Sequence, residues 1–395
     1  MSDFTRTKYI VYVILAVVVL GIVWFAYYRY LSPVTPGAVP QQQPGISGRT
    51  GGGGVGTPPE TNPPAAGTST LPVLPSITEQ KLTRLTDFSV ISPSLNKNET
   101  QVLFYKKDGG DLFGVDFHGT QQEKMAHVTV VGLTEALWPT TRDRAAVFYL
   151  SGDTLKGFLH IGTSSIAVLP QDIRSFSWSP DGRSLAYLVP KDDLVNLVIA
   201  DASGKNPKTV FRTPLADAKI SWVTGDKIAF QTAPSAMSEG FIFTFSRSTD
   251  AFTKVYGPAF GLQSRWSADG SQILVSQTSR GGGHLTSGIY HTVKKTFRTL
   301  DAPTLPEKCA WADANELYCA LPRSIPSGVI MPDDYLRGEY NSADRIVRIA
   351  ADKNGAADVF SEGSFDMSNL SITKNKNFLF FVNRNDGTLW SLRLK

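Results

Sequence analysis

Tryptophans 178, 222, 266 and 311 recur at intervals of 44, 44 and 45 residues. Around the first of them the chain reads Phe176-Ser177-Trp178-Ser179-Pro180-Asp181-Gly182-Arg183-Ser184-Leu185-Ala186-Tyr187: alternating apolar positions, a tight break, then a second alternating run. Alternation with a period of two marks half-buried strands, and Pro, Asp and Gly each supply a conformation that a tight turn requires. A period in the forties built from such hairpins predicts an all-β protein, a β-propeller with one four-stranded antiparallel blade per repeat. Aligning the hairpins puts Leu95, Trp138, Trp178, Trp222, Trp266, Trp311 and Ser371 at one equivalent position, with spacings of 43, 40, 44, 44, 45 and 60. Seven blades are expected.

The ends of the chain fit that count. After Asn369–Ile372, Phe378–Asn383 and Thr388–Leu394 the last unit has run out of strands, while Lys81–Thr86 forms an orphan strand before the first. Pairing the two closes the ring and removes exposed strand edges.

The Trp-Ser-Pro-Asp-Gly turn has weaker copies at Trp266-Ser267-Ala268-Asp269-Gly270 and Asp386-Gly387. In this it resembles the propeller repeats of bacterial TolB-like proteins over roughly residues 80–395. The resemblance implies a propeller outside the cytoplasmic membrane that binds protein partners. The chain departs from the pattern in showing no separate N-terminal α/β domain, so the partner of TolB itself does not carry over. Cys309-Ala310-Trp311 followed by Leu317-Tyr318-Cys319 is similar to a unit of membrane-anchored bacterial propellers.

Ahead of the repeats, Tyr9 to Tyr28 is a 20-residue run without a charged side chain, closed by Trp24, Tyr27, Tyr28 and Tyr30. At about 1.5 Å per residue a helix of that length spans the bilayer's hydrocarbon core, and the aromatic cluster suits its interface. Residues 9–28 are thus expected to be a transmembrane helix in the lipid bilayer, with 1–8, carrying Arg6 and Lys8, on the cytoplasmic side. Tyr-Tyr-Arg-Tyr-Leu at its end is unlike a signal-peptide cleavage site. Residues 29–72 are dominated by Pro, Gly, Gln, Thr and Ser and read as a disordered linker. The propeller, residues 73–395, would then lie outside a bacterial cell membrane, single-pass.

Chemistry is harder to find. A net charge of +4 on 395 residues is no footprint for nucleic acid. There is no Gly-x-Ser-x-Gly, no His-Glu-x-x-His and no phosphate loop; Gly51–Gly56 matches a dinucleotide fingerprint only in letters, lacking a strand before and a helix after. Histidines 118, 127, 160, 284 and 291 are scattered and read as surface or loop residues. No catalytic residue, metal site or cofactor is expected, and the repeated tryptophans read as packing between blades rather than a stacking platform.

Two features stand out. Cys309 and Cys319 share the register that sets Trp311 opposite Leu317, so in a hairpin they face one another within reach of a disulfide. The sixth unit is enlarged by about 15 residues at 322–340, and in repeat proteins such insertions map to loops on one face, often the binding face. Met331, Tyr335, Arg337 and Tyr340 within it are of types that interfaces favour, and they are the candidate partner-binding residues. The expectation from sequence is a membrane-anchored, extracytoplasmic propeller that binds or scaffolds another macromolecule, a protein partner of the cell envelope, and is not an enzyme. The alternative is a propeller-type lyase, cyclase or lactonase with acids or a metal near the central channel.

Overall fold

Strands account for nearly all regular structure in the computed structural model, which describes residues 81–162, 165–353 and 355–395. The expected segments 1–8, 9–28 and 29–72 lie outside the described residues. Among the described residues no helix is long and apolar enough to cross a membrane.

β1 (Leu82–Arg84) stands apart in sequence from the sheet it joins. A first meander contains β2 (Val90–Leu95), β3 (Gln101–Lys106), β4 (Leu112–Asp116) and β5 (Gln122–Ala126), and a second β6 (Leu133–Leu137), β7 (Arg144–Ser151), β8 (Thr154–Ile161) and β9 (Ser165–Val168). The third contains β10 (Ser175–Trp178), β11 (Ser184–Lys191), β12 (Leu194–Asp201) and β13 (Lys208–Thr213). Next come β14 (Lys219–Trp222), β15 (Lys227–Gln231), β16 (Glu239–Ser246), β17 (Phe252–Trp266), β18 (Gln272–Thr278), β19 (Thr286–His291) and β20 (Thr296–Leu300), joined in one seven-stranded sheet because the 15-residue β17 pairs with β16 and then with β18. β21 (Cys309–Asp313), β22 (Glu316–Pro322), β23 (Asp344–Ala350) and β24 (Ala356–Phe360) form another four-stranded sheet. The final sheet is β25 (Met367–Ile372), β26 (Phe378–Asn383) and β27 (Leu389–Arg393), completed by β1. Every ladder is antiparallel, and the first strands of successive units lie side by side, as with β2 and β6, β10 and β14, and β21 and β25. This is the arrangement of a β-propeller.

The second strand of each unit reads as a continuous apolar run, because both of its faces are buried. In β3, Val102 and Phe104 pack with Phe380 and Val382 of the last sheet, while Leu103 and Tyr105 pack with Ala145 and Val147 of the second. Alternate side chains of one strand therefore feed two different inter-sheet cores. The repeated tryptophans fill the same seams: Trp138 Nε1 donates to the Ser92 carbonyl at 2.9 Å and Trp178 Nε1 to that of Leu137 at 2.7 Å. Trp311 does the same to Arg265, at 3.3 Å. Each indole ties its unit to the innermost strand of the one before.

Trp311 pairs with Leu317 as read from sequence, and the other aligned positions pair likewise across their turns at Leu95↔Val102, Trp178↔Leu185, Trp222↔Ile228 and Trp266↔Ile273. In the last unit the partner of Leu379 is Ile372, not Ser371, since a bulge between Ser368 and Ser371 moves the register by one. The turn itself is self-contained. Ser179 Oγ donates to Asp181 Oδ1 at 2.6 Å, the Arg183 N–H donates to the same oxygen at 3.0 Å, and Gly182 takes a φ of 68°. Cys309 and Cys319 are direct ladder partners, both buried, with Sγ atoms at disulfide distance, 2.11 Å.

The ring closes where β1 meets β27. Leu82 pairs with Leu392, Thr83 with Ser391 and Arg84 with Trp390, and the Leu85 N–H donates to the Leu389 carbonyl at 2.8 Å. Deleting residues 81–86 leaves β27 as a bare edge and uncovers Leu392. The melting temperature is expected to fall by at least about 5 °C. Calorimetry showing a drop of under about 2 °C would refute a closing role for β1.

Candidate functional site: a capped axial channel

Antiparallel meanders alternate their ends, so the links after the second and fourth strands of every unit emerge on one face and the remaining links on the other. The enlarged link at residues 323–343, between β22 and β23, belongs to the first face and carries a short helix, α1 (Asp333–Arg337). It reaches across the ring. The Ala236 N–H, between β15 and β16, donates to Asp333 Oδ2 at 2.7 Å, and the Met331 N–H donates to the Gly282 carbonyl, between β18 and β19, at 3.1 Å. The Tyr335 hydroxyl donates to Asp366 Oδ1 at the entrance to the final sheet, at 3.2 Å. The segment is therefore a cap over one mouth of the axis.

This geometry corrects the expectation that the loop offers its aromatic side chains to a partner. Met331, Tyr335 and Tyr340 are buried against Leu305 in a cluster of their own. Of the four candidates only Arg337 is exposed, and it is held by Asp334 at 2.6 Å and Glu339 at 3.1 Å. The reason is physical: a 21-residue link over an open mouth has apolar surface beneath it, and burying Met and Tyr there stabilises more than leaving them in water.

Under the cap sits a charge cluster that the sequence did not disclose. Lys308 Nζ, fully buried, donates to Asp344 Oδ2 and to Asp366 Oδ1, both at 2.6 Å, and to the Met367 carbonyl at 3.1 Å. Asp366 also accepts from Ser342 Oγ at 3.1 Å, and the Met367 N–H donates to Asp344 at 2.7 Å. Arg384 lies 3.5 Å from Asp366, with its guanidinium carbon 3.9 Å from the centre of the Tyr335 ring. Two cations thus face two carboxylates. Burial pushes the Asp344 carboxyl above its ordinary range, with the Lys308 ammonium pulling the other way, and burial pushes the Tyr335 phenol up as well. Lys308, Asp366 and Arg384 come from three links and Asp344 from the start of β23, and no local motif connects them.

Beside the cluster a cavity of about 720 Å³ runs down the axis. Its wall is made by first strands, through Glu135, Lys219, Ser221, Gln263, Arg265 and Asn369, with Asp217 and Glu307 at strand entries and Leu336 of the cap above. Desolvation in the channel raises the Glu307 carboxyl, opposed by Arg384 and Lys219, and lowers the Arg265 guanidinium, opposed by Glu307. A second groove of about 360 Å³ shares Glu135, Asp217 and Lys219 and continues along Leu137, Phe148, Leu155, Ile173 and Phe176. Among the described residues no group of three or more His, Cys, Asp or Glu side chains could hold a metal ion. His160 departs from the expected surface or loop position: it is buried, 2.7 Å from the Tyr105 hydroxyl through Nδ1, and burial lowers its pKa. Its place in the run Gly157-Phe158-Leu159-His160-Ile161 was the available signal.

No protein-family model matches the sequence, and comparison with curated proteins gives no match. Solved structures supply the fold. Oligogalacturonate lyase from Vibrio parahaemolyticus is similar at 11% identity, over 81% of this chain and 95% of that one, with a TM-score of 0.56. The β-propeller domain of the Trilobed protease from Pyrococcus furiosus is similar at 12% identity, over 77% and 95%, with a TM-score of 0.53. TolB from Acinetobacter baumannii is also a neighbour, at 12% identity and a TM-score of 0.44; this chain spans 63% of that protein's length. The chain has the β-propeller fold, with TolB proteins among its structural neighbours. One expectation is overturned: a lyase shares this architecture, so the expectation that the chain is not an enzyme is unsupported.

Replacing Lys308 with Met leaves Asp344 and Asp366 buried with Arg384 as their remaining cation. A loss of about 3–5 kcal/mol is expected from denaturant unfolding at neutral pH. The sign with pH follows. Without the ammonium, burial acts on the Asp344 carboxyl unopposed by Lys308, and the folded state then holds a proton the unfolded chain has released. The variant should therefore regain stability as pH falls from 8 towards 5. A deficit constant over that range would contradict the cluster's charge state.

Proposed function

We propose that this chain is a seven-bladed propeller that binds a protein partner through the capped face, and that it works outside a bacterial cell membrane, tethered by residues 9–28. Seven blades follow if β17 serves as the outermost strand of the fourth and the innermost of the fifth. The observation that carries the binding reading is the distribution of exposed large apolar side chains. Val131, Leu150, Val168, Leu194, Met237 and Leu336 stand on links or strand ends of the capped face, and Val293 alone on the other. Such side chains scattered singly need no explanation, but their concentration on one face, beside an apolar groove, fits an interaction surface. Its elements span the second, third and fourth units, the sector that the cap leaves open. The propeller architecture is equally at home in enzymes, and that alternative has no better support.

Changing Leu150, Leu194 and Met237 together to Asp places three charges on that surface without touching a core. Capture of a partner from solubilised envelope membranes is expected to weaken by about 2 kcal/mol or more, while Val293→Asp leaves it unchanged. Equal capture by the triple variant and the parent would place the docking surface elsewhere. Orientation is checked separately. External protease on intact cells should cut within 29–72 and release a folded fragment; protection until the membrane is permeabilised would reverse the assignment.

A further inference from the structure

The channel cavity contrasts with the cluster that adjoins it. Lys308, Asp344, Asp366 and Arg384 are all engaged within the fold. By contrast, Glu135, Asp217, Lys219, Arg265 and Glu307, the five charged side chains of the cavity wall, form no ion pair or side-chain hydrogen bond among the described residues. All but Arg265 are exposed to the water of the channel, and both signs stand near one another along a single wall. A further polar group completes the wall. Gln263 is 7% exposed, lines the cavity, and keeps its Oε1 buried without a partner. A buried acceptor left unsatisfied costs about 1–3 kcal/mol.

We propose that this cavity binds a small zwitterion, an α-amino acid or a di- or tripeptide, with its carboxylate on Arg265 and Lys219 and its ammonium on Glu307 and Asp217. A purely anionic or purely cationic ligand would engage one set and crowd the other, so recognition of both charges on one molecule is what this wall discriminates. The volume lies within the ~300–1,000 Å³ of small-molecule sites, and an extended tripeptide reaches about 10 Å. The wall sets serine, amide and charged groups among Trp266, Pro306 and Leu336, a mixture that suits a ligand with both charged ends and an apolar body. Desolvation disfavours the charged forms of Glu307 and Arg265, and an opposite charge on a ligand beside each would favour them. The cavity shares Glu135, Asp217 and Lys219 with the groove beside the proposed docking face, but Arg265, Gln263 and Glu307 belong to the cavity alone, and substitutions there separate the two readings.

The test is isothermal titration of the full chain in detergent with the twenty free amino acids, triglycine and trialanine. N-acetyltriglycine, which keeps only the carboxylate, and triglycine amide, which keeps only the ammonium, serve as controls. At least one zwitterion is expected to bind, with its singly charged analogue at least about tenfold weaker. Arg265→Gln and Glu307→Gln should each weaken that zwitterion about tenfold or more, with the fold checked by circular dichroism. Should either variant misfold, the pair Lys219→Gln and Asp217→Asn, both on exposed side chains, carries the same test. Absence of heat from every zwitterion at about 10 mM overturns the proposal. So does equal binding of the controls, or unchanged affinity in folded variants.

Discussion

A sheet that is apolar on both faces has no stable existence by itself. Phe104 and Tyr105 are adjacent in one strand, yet they serve cores on opposite sides, and each core is completed only by the next sheet in the ring. The whole structure depends on that shared burial being carried round without a gap. The last gap is closed by β1, which lends itself to the last sheet, so that segments some 300 residues apart make one blade. The indole bonds of Trp138, Trp178 and Trp311 add a directional element to an otherwise non-directional packing force. At about 1 kcal/mol each they contribute less energy than burial, but they fix how far one unit rotates against its neighbour.

Charge is used in two ways in the same small region. Where the cap lands, two cations and two carboxylates are desolvated together and bonded to one another and to backbone groups. That arrangement specifies where the cap sits more than it stabilises it, because the desolvation of such groups offsets much of their attraction. A few ångströms away, along the axis, charges of both signs remain unpaired in contact with the channel. The difference is one of geometry, since first strands point their side chains at an open axis, whereas the residues at positions 308, 344, 366 and 384 converge beneath a lid.

Much of the fold was legible because it repeats. The Trp spacing, the Ser-Pro-Asp-Gly turn and the surplus strand at Lys81–Thr86 each report local geometry, and local geometry leaves a local signal. The pairing of Cys309 with Cys319 was readable for the same reason, both lying in one hairpin. The site was not. Lys308 looks in sequence like an ordinary surface lysine beside Glu307, and only the convergence of three distant segments buries it. Tyr335 and Tyr340 carried the composition of an interface and turned out to be the cap's own core, because composition cannot tell an apolar side chain that will meet a partner from one that will meet its own protein. Ser371 was misplaced by a single residue, since a bulge has no signature in a gap count.

The cap leaves and rejoins the ring at adjacent points: Pro322 and Asp344 are ladder partners, the last pair of the β22–β23 hairpin. A segment whose ends already touch adds to the entropy of folding only as the logarithm of its length. Lengthening, shortening or replacing residues between these two points therefore leaves the strand register and the closure of the ring untouched. The lid is in this sense a module on a fixed doorway, free to diverge in size and chemistry while the doorway's own residues, Lys308, Asp344 and Asp366, are held to a single geometry.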